Sequence, residues 1–194
     1  MRRVLLSTLA MLFAVGCLAV ARPVSRDADA LTGPSFPVGD LKFIVPAKWQ
    51  IEMVESPARG GQWRVPALHD DSEGGQLVAF YFGPGVGGTA KDNIESWIGT
   101  MFNATGHPAA AEVKHRTAGD FKISQVVVFG TYDQSVSLPS VPPVSKPNYG
   151  LLGAVVESPQ GNIYWRFTGP EPLITANLAL FDKMIASVKP QGQP

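Results

Sequence analysis

Only two stretches of this chain carry a helical apolar rhythm; elsewhere its apolar residues come in short runs or alternate. Ile94, Trp97, Ile98, Met101 and Phe102 recur at helical spacing after Thr89, which can cap a helix start with Asp92 three positions on. Ile174, Leu178, Phe181, Ile185 and Val188 form the second stripe, with Pro170 at its start and Pro190 at its end. Around these lie strand patterns at 41–45, 50–55, 62–65 and 76–82. Residues 111–117 and 122–132 read as a hairpin about the turn 118–120, and 149–157 and 163–168 as another about 158–162. This order predicts an α+β fold, an antiparallel β-sheet of about 6–8 strands covered by two helices. The 20 glycines and 17 prolines supply the turns such a sheet needs. No repeat of 20–50 residues is present, which excludes solenoids and propellers.

The N-terminus reads as a signal segment over 1–21. Arg2 and Arg3 precede an apolar run from 4 to 15, and small residues follow. Two processing sites compete. Ala14-Val15-Gly16-Cys17 resembles a lipobox, in which Cys17 would carry lipid. Ala19-Val20-Ala21 is an A-x-A site that would release a soluble protein. The first predicts a lipoprotein of the outer or cytoplasmic membrane facing the periplasm, the second a soluble periplasmic or secreted form. Residues 22–39, with Pro23, Pro34 and Pro37, read as a flexible tether, and 40–190 as a single domain.

Cys17 is the only cysteine, so the domain has neither a disulfide nor thiol chemistry and must be held by its apolar core. The formal net charge is zero, and about −2 once Arg2 and Arg3 leave. That balance argues against a nucleic-acid partner, which would require a basic face.

Phe43-Ile44-Val45-Pro46-Ala47-Lys48-Trp49 resembles the F-x-x-P-x-x-W opening of PsbP-like domains, and the Trp97 helix and the ending Phe181-x-x-x-Ile185-x-x-Ser187 are similar too. The resemblance covers nearly all of 40–188 and implies an α/β/α sandwich with a non-catalytic tendency. The chain also resembles an uncharacterised group of bacterial envelope proteins. That likeness rests on the stretches Tyr81-Phe82-Gly83-Pro84-Gly85, Asn93-Ile94-Glu95-x-Trp97 and Leu151-Leu152-Gly153-Ala154-Val155-Val156-Glu157.

Few residues suggest chemistry. Gly83, Gly85 and Gly88 satisfy G-x-G-x-x-G between a strand and a helix, the setting of a dinucleotide-binding turn. Against that, Pro84 removes an amide, and the surrounding order reads as hairpins; a tight connection is the simpler reading. His69, Asp70, Asp71 and Glu73 do not fit an EF-hand and read as a solvated loop, so no metal or cofactor is expected. His107 and His115 have no sequence neighbour that suggests a triad, and G-x-S-x-G and H-E-x-x-H are absent. In the proline-rich loop 134–148, Pro139, Pro142 and Pro143 hold an extended segment suited to docking on an envelope protein partner. The functional expectation is a non-enzymatic exported envelope domain that binds a protein partner or small ligand. The alternative is a small enzyme or nucleotide-binding protein using the 83–88 loop.

Overall fold

Alternation in the first half of the domain decides its layers. The computed structural model describes residues 31–54, 56–69, 72–133, 135 and 145–192. In chain order the elements are β1 (Ser35–Val38), β2 (Leu41–Ile44), β3 (Gln50–Ile51), β4 (Arg59–Val65), β5 (Gly75–Tyr81), α1 (Ala90–Ile98) and β6 (Met101–Phe102). They continue with β7 (Ala111–Ala118), β8 (Phe121–Asp133), β9 (Ser145–Glu157), β10 (Ile163–Pro170), α2 (Glu171–Ala186) and β11 (Lys189–Pro190). An 8-stranded antiparallel sheet runs β3-β4-β5-β10-β9-β8-β6, with β7 also paired to β8, and a 3-stranded sheet runs β1-β2-β11. The architecture is α+β, with one helix against each face of the large sheet.

The two faces differ in how fully they are covered. Trp63, Leu77, Trp165, Phe167 and Val156 point to the face closed by α2 and the small sheet, in one buried cluster with Phe43, Trp49 and Phe181. Within the F-x-x-P-x-x-W stretch, Phe43, Val45 and Trp49 are therefore core residues, each at most 4% exposed. On the other face, α1 sets Ile94 and Trp97 over Val126, Val128, Leu151 and Val155. Each such side chain contributes about 1.5–3 kcal/mol on burial, before the cost of ordering it. α1 packs chiefly on β8 and β9, and its cluster reaches Tyr164 of β10 and Phe80 of β5, so its cover thins towards β4 and β3 on this side.

Four boundaries differ from the sequence reading. α1 stops at Ile98, where the Gly99 N–H bonds back to Glu95 and the Thr100 hydroxyl donates to the Trp97 carbonyl at 2.7 Å. Met101 and Phe102 belong to β6, which pairs with Tyr132 and Thr131. Met101 is still fully buried, so the helical spacing identified a core residue and misassigned its element. The expected strand over 50–55, of which Glu55 lies outside the described residues, narrows to β3, and the edge there is exposed: Ile51 is 61% and Met53 91% exposed. The ordered domain starts before residue 40. β1 pairs with β2, and Phe36 stacks edge-on against Trp63 at 4.8 Å, which draws part of the expected tether into the fold. At the other end of the proline-rich stretch, β9 begins at Ser145. A shift in register between Gly130 and Tyr132 lets Lys146 and Ser145 pair with β8 despite Pro147.

Candidate functional site

The groove between α1 and the β7 edge is built by a short turn. Gly119-Asp120 closes the β7–β8 hairpin, with Ala118 opposite Phe121, and that register places His115 opposite Ser124. The period of two then puts Val113 on the same face as His115. Since α1 rests on β8 and β9, the inner surface of β7 remains uncovered. The result is a cavity of about 700 Å³ with apolar walls from Ile94, Ile98 and Val113 and polar groups from His115, Glu157 and Asn162. Val113 is 41% exposed, high for a valine facing a helix, because the groove beside it is open.

His115 Nδ1 lies 3.0 Å from the Ser124 hydroxyl, which is itself buried. This contact fixes the ring and leaves Nε2 as the nitrogen available to a ligand. Among the described residues no carboxylate is hydrogen-bonded to that imidazole, so the pair lacks the third group that orients a catalytic base. On the helix side of the rim, Lys91 and Glu95 form an exposed i, i+4 pair at 3.8 Å.

The glycine-rich loop reaches this groove only at its end. Gly88 lines it; Gly83 and Gly85 do not. The Tyr164 hydroxyl donates to the Gly88 carbonyl at 2.8 Å, and the Asn93 amide donates to the Gly87 carbonyl at 2.8 Å. Burial pushes the Tyr164 phenol above its ordinary pKa. Gly87 has φ +95°, and a Cβ there would meet the Tyr164 and Phe82 rings. A side chain at that position would therefore be strained and crowded at once.

The start of α1 is already satisfied. The Asp92 N–H donates to the Thr89 hydroxyl oxygen at 3.1 Å, and the Thr89 N–H donates to the Asp92 carboxylate at 3.2 Å. The Thr89 hydrogen bonds hold the Asp92 carboxyl below the usual carboxylate range. A carboxylate thus sits where a dinucleotide pyrophosphate would require free amides. β5 is flanked by β4 and β10, both antiparallel to it, so the loop does not open a βαβ unit.

The other sequence candidates are scattered. Cys17, Pro139, Pro142 and Pro143 lie outside the described residues, as do Asp70 and Asp71. Glu73 is paired with Lys146 at 2.5 Å, 73 positions away in sequence. His107 closes a local turn, its N–H donating to the Asn103 side-chain oxygen at 3.0 Å. Among the described residues no group of three or more His, Cys, Asp or Glu side chains is arranged to hold a metal ion. Sequence reading passed over Ser124, Glu157 and Asn162. The turn at Gly119-Asp120 was the available signal for Ser124, because it alone fixes that residue opposite His115.

No protein-family model and no curated protein matches the sequence. Among solved structures, the chain is similar to the solution structure of cyanobacterial PsbP (CyanoP) from Synechocystis, with a TM-score of 0.52 and 15% identity. That match covers 90% of this chain and 99% of the other. It is also similar to a Pseudomonas aeruginosa protein of unknown function, PA94, with a TM-score of 0.45 and 8% identity, over 82% of this chain and 98% of the other. The fold is PsbP-like, an antiparallel sheet sandwiched between helices.

Proposed function

We propose that this chain is a non-enzymatic, exported binding domain that holds a small amphipathic ligand in the groove between α1 and β7. The observation that carries the reading is the open apolar wall of Ile94, Ile98 and Val113 facing the polar group of His115, Glu157 and Asn162. Ligand sites combine a mostly apolar, concave surface with a few convergent polar groups, in volumes of about 300–1,000 Å³. The apolar body of the ligand lies along the helix, and its polar end meets His115 Nε2 and Asn162. Methyl NMR of the isoleucines and valines, with a library of amphipathic fragments, tests this. Saturable shifts centred on Ile94, Ile98 and Val113 are expected, with affinity at least tenfold weaker in Val113→Arg. Val113 is already exposed, so the arginine leaves the core intact. Binding that is absent, or that is unchanged in the variant, would remove the groove from consideration. Saturable ATP or NAD binding at residues 83–88 would favour the nucleotide-binding alternative.

Export and anchoring complete the proposal. Among the described residues no helix is long and apolar enough to cross a membrane. Attachment would come from lipid on Cys17, a reading that rests on the lipobox-like Ala14-Val15-Gly16-Cys17. A single acyl chain holds weakly, and stable anchoring takes more than one. Cys17→Ala is expected to abolish labelling by a fatty-acid analogue and to move the protein to the soluble fraction. A wild type that takes no label and is wholly soluble would instead point to cleavage after Ala21.

A further inference from the structure

The part of the large sheet that α1 leaves open carries a second site, independent of the groove. Its floor follows from strand register. Arg64 on β4 pairs with Gln76 on β5, and Gln76 pairs with Thr168 on β10, so three polar side chains form a row across the sheet. One row along, Val78 pairs with Arg166. Alternation sends these side chains away from the Trp165 core, and Arg64, Gln76, Arg166 and Thr168 line a cavity of about 340 Å³, closed on one side by Lys146.

The cations in this cavity are unevenly satisfied. Lys146 is neutralised by Glu73 at 2.5 Å and also donates to the Tyr149 hydroxyl at 3.0 Å. Arg64 donates to the Gln50 side-chain oxygen at 2.7 Å, a neutral partner. Arg166, half-buried, lies over the Phe80 ring at 5.7 Å. Among the described residues neither guanidinium has a carboxylate partner, and the one other acid on the lining, Glu52, accepts from Gln62 at 2.7 Å. Two guanidiniums on one sheet face repel each other, and half-burial of Arg166 adds a desolvation cost. An anion between them relieves both. Two strand spacings across and two residues along separate Arg64 from Arg166, a diagonal of about 12 Å between backbones that two long side chains meeting at one oxyanion can bridge.

We infer that Arg64 and Arg166, with Gln76 and Thr168 as hydrogen-bonding floor, form a binding site for a phosphate monoester. The guanidinium forks match phosphate oxygens two at a time, and the cavity has room for a small organic group beyond the phosphate. Glu73 sits at the rim, where it repels an anion and occupies Lys146; removing its charge frees the lysine and strengthens binding.

Calorimetry with glycerol 3-phosphate, together with sedimentation on phosphatidic acid vesicles and phosphatidylcholine vesicles, tests the inference. Saturable binding is expected to glycerol 3-phosphate, to phosphatidic acid vesicles, or to both. Binding only to the vesicles identifies a lipid headgroup as the source, and binding to the soluble ester identifies a free metabolite. Arg166→Gln and Arg64→Gln should each weaken binding at least tenfold, and Glu73→Gln should tighten it several-fold. Arg64 is exposed, so its variant keeps the test valid if Arg166→Gln melts early. Val113→Arg, which blocks the groove, should leave phosphate binding unchanged, which separates failure here from failure of the groove. No saturable binding to any probe, or equal binding by wild type and both arginine variants, would overturn the inference.

Discussion

Replacing Trp165 with alanine is expected to cost about 3–5 kcal/mol, a large fraction of the 5–15 kcal/mol that holds a domain of this kind together. Trp165 is 0% exposed on β10, in the middle of the large sheet, and its ring meets Phe43 at 5.0 Å and Trp63 at 5.6 Å. One residue thereby joins the small sheet, through β2, to β4 across the core. Alanine would leave a cavity walled by rigid aromatic rings that cannot collapse into it, the condition under which such losses reach the upper end of their range. The melting temperature should fall by roughly 10 °C or more. Trp165→Phe is the informative control. Among the described residues the Trp165 indole N–H has no hydrogen-bond partner, so removing it strands no acceptor. The phenylalanine variant should lose only about 1–2 kcal/mol, the worth of the missing ring volume. Urea melts of the three proteins read both numbers. Equal losses for alanine and phenylalanine would show that the indole N–H matters and that Trp165 does not act chiefly by filling space.

The same core explains which parts of the fold were legible in the sequence. Phe43, Val45 and Trp49 stood out because apolar residues bounded by a proline have few other uses, and all three are buried. The hairpins were legible because a turn such as Gly119-Asp120 allows little else, Gly119 having φ +56°. The end of α1 was not, since Met101 continues the helical spacing; the unpaired edge of β8 captures the chain there, a long-range effect no local pattern contains. The sites were still less visible. Val113 and Ile94 meet across a groove whose walls come from different elements, and His115 gains its partner only through register. Arg64 and Arg166 occupy ordinary polar positions in alternating strands. They become notable only because the sheet order puts β10, far away in sequence, beside β5. The G-x-G-x-x-G pattern was fully visible in sequence, and its geometry turns on Asp92, whose carboxylate caps the helix that would have to receive a phosphate.

A valine at Gly153 should be nearly as damaging as the loss of Trp165, for the opposite reason. Gly153 lies on β9 directly beneath α1, paired with Val126 on β8 and Arg166 on β10. A Cβ built there would overlap the six-membered ring of Trp97 and come within 2.8 Å of a Val126 methyl. The φ of Gly153 is not positive, so the backbone tolerates a side chain and the obstacle is contact alone. Trp97 is 6% exposed and cannot swing clear without lifting α1 from the sheet. Overpacking of this kind costs about 1–3 kcal/mol, and a β-branched side chain under an indole belongs at the top of that range. Because α1 also forms the wall of the groove, Gly153→Val should abolish fragment shifts at Ile94 and Ile98. Adding Trp97→Leu should recover part of the loss, since the smaller side chain makes room. The double variant is then less destabilised than the sum of the two single changes by about 0.5–3 kcal/mol. Strict additivity would mean that Trp97 does not rest on Gly153, and the position of the helix, and with it the groove, would have to be redrawn.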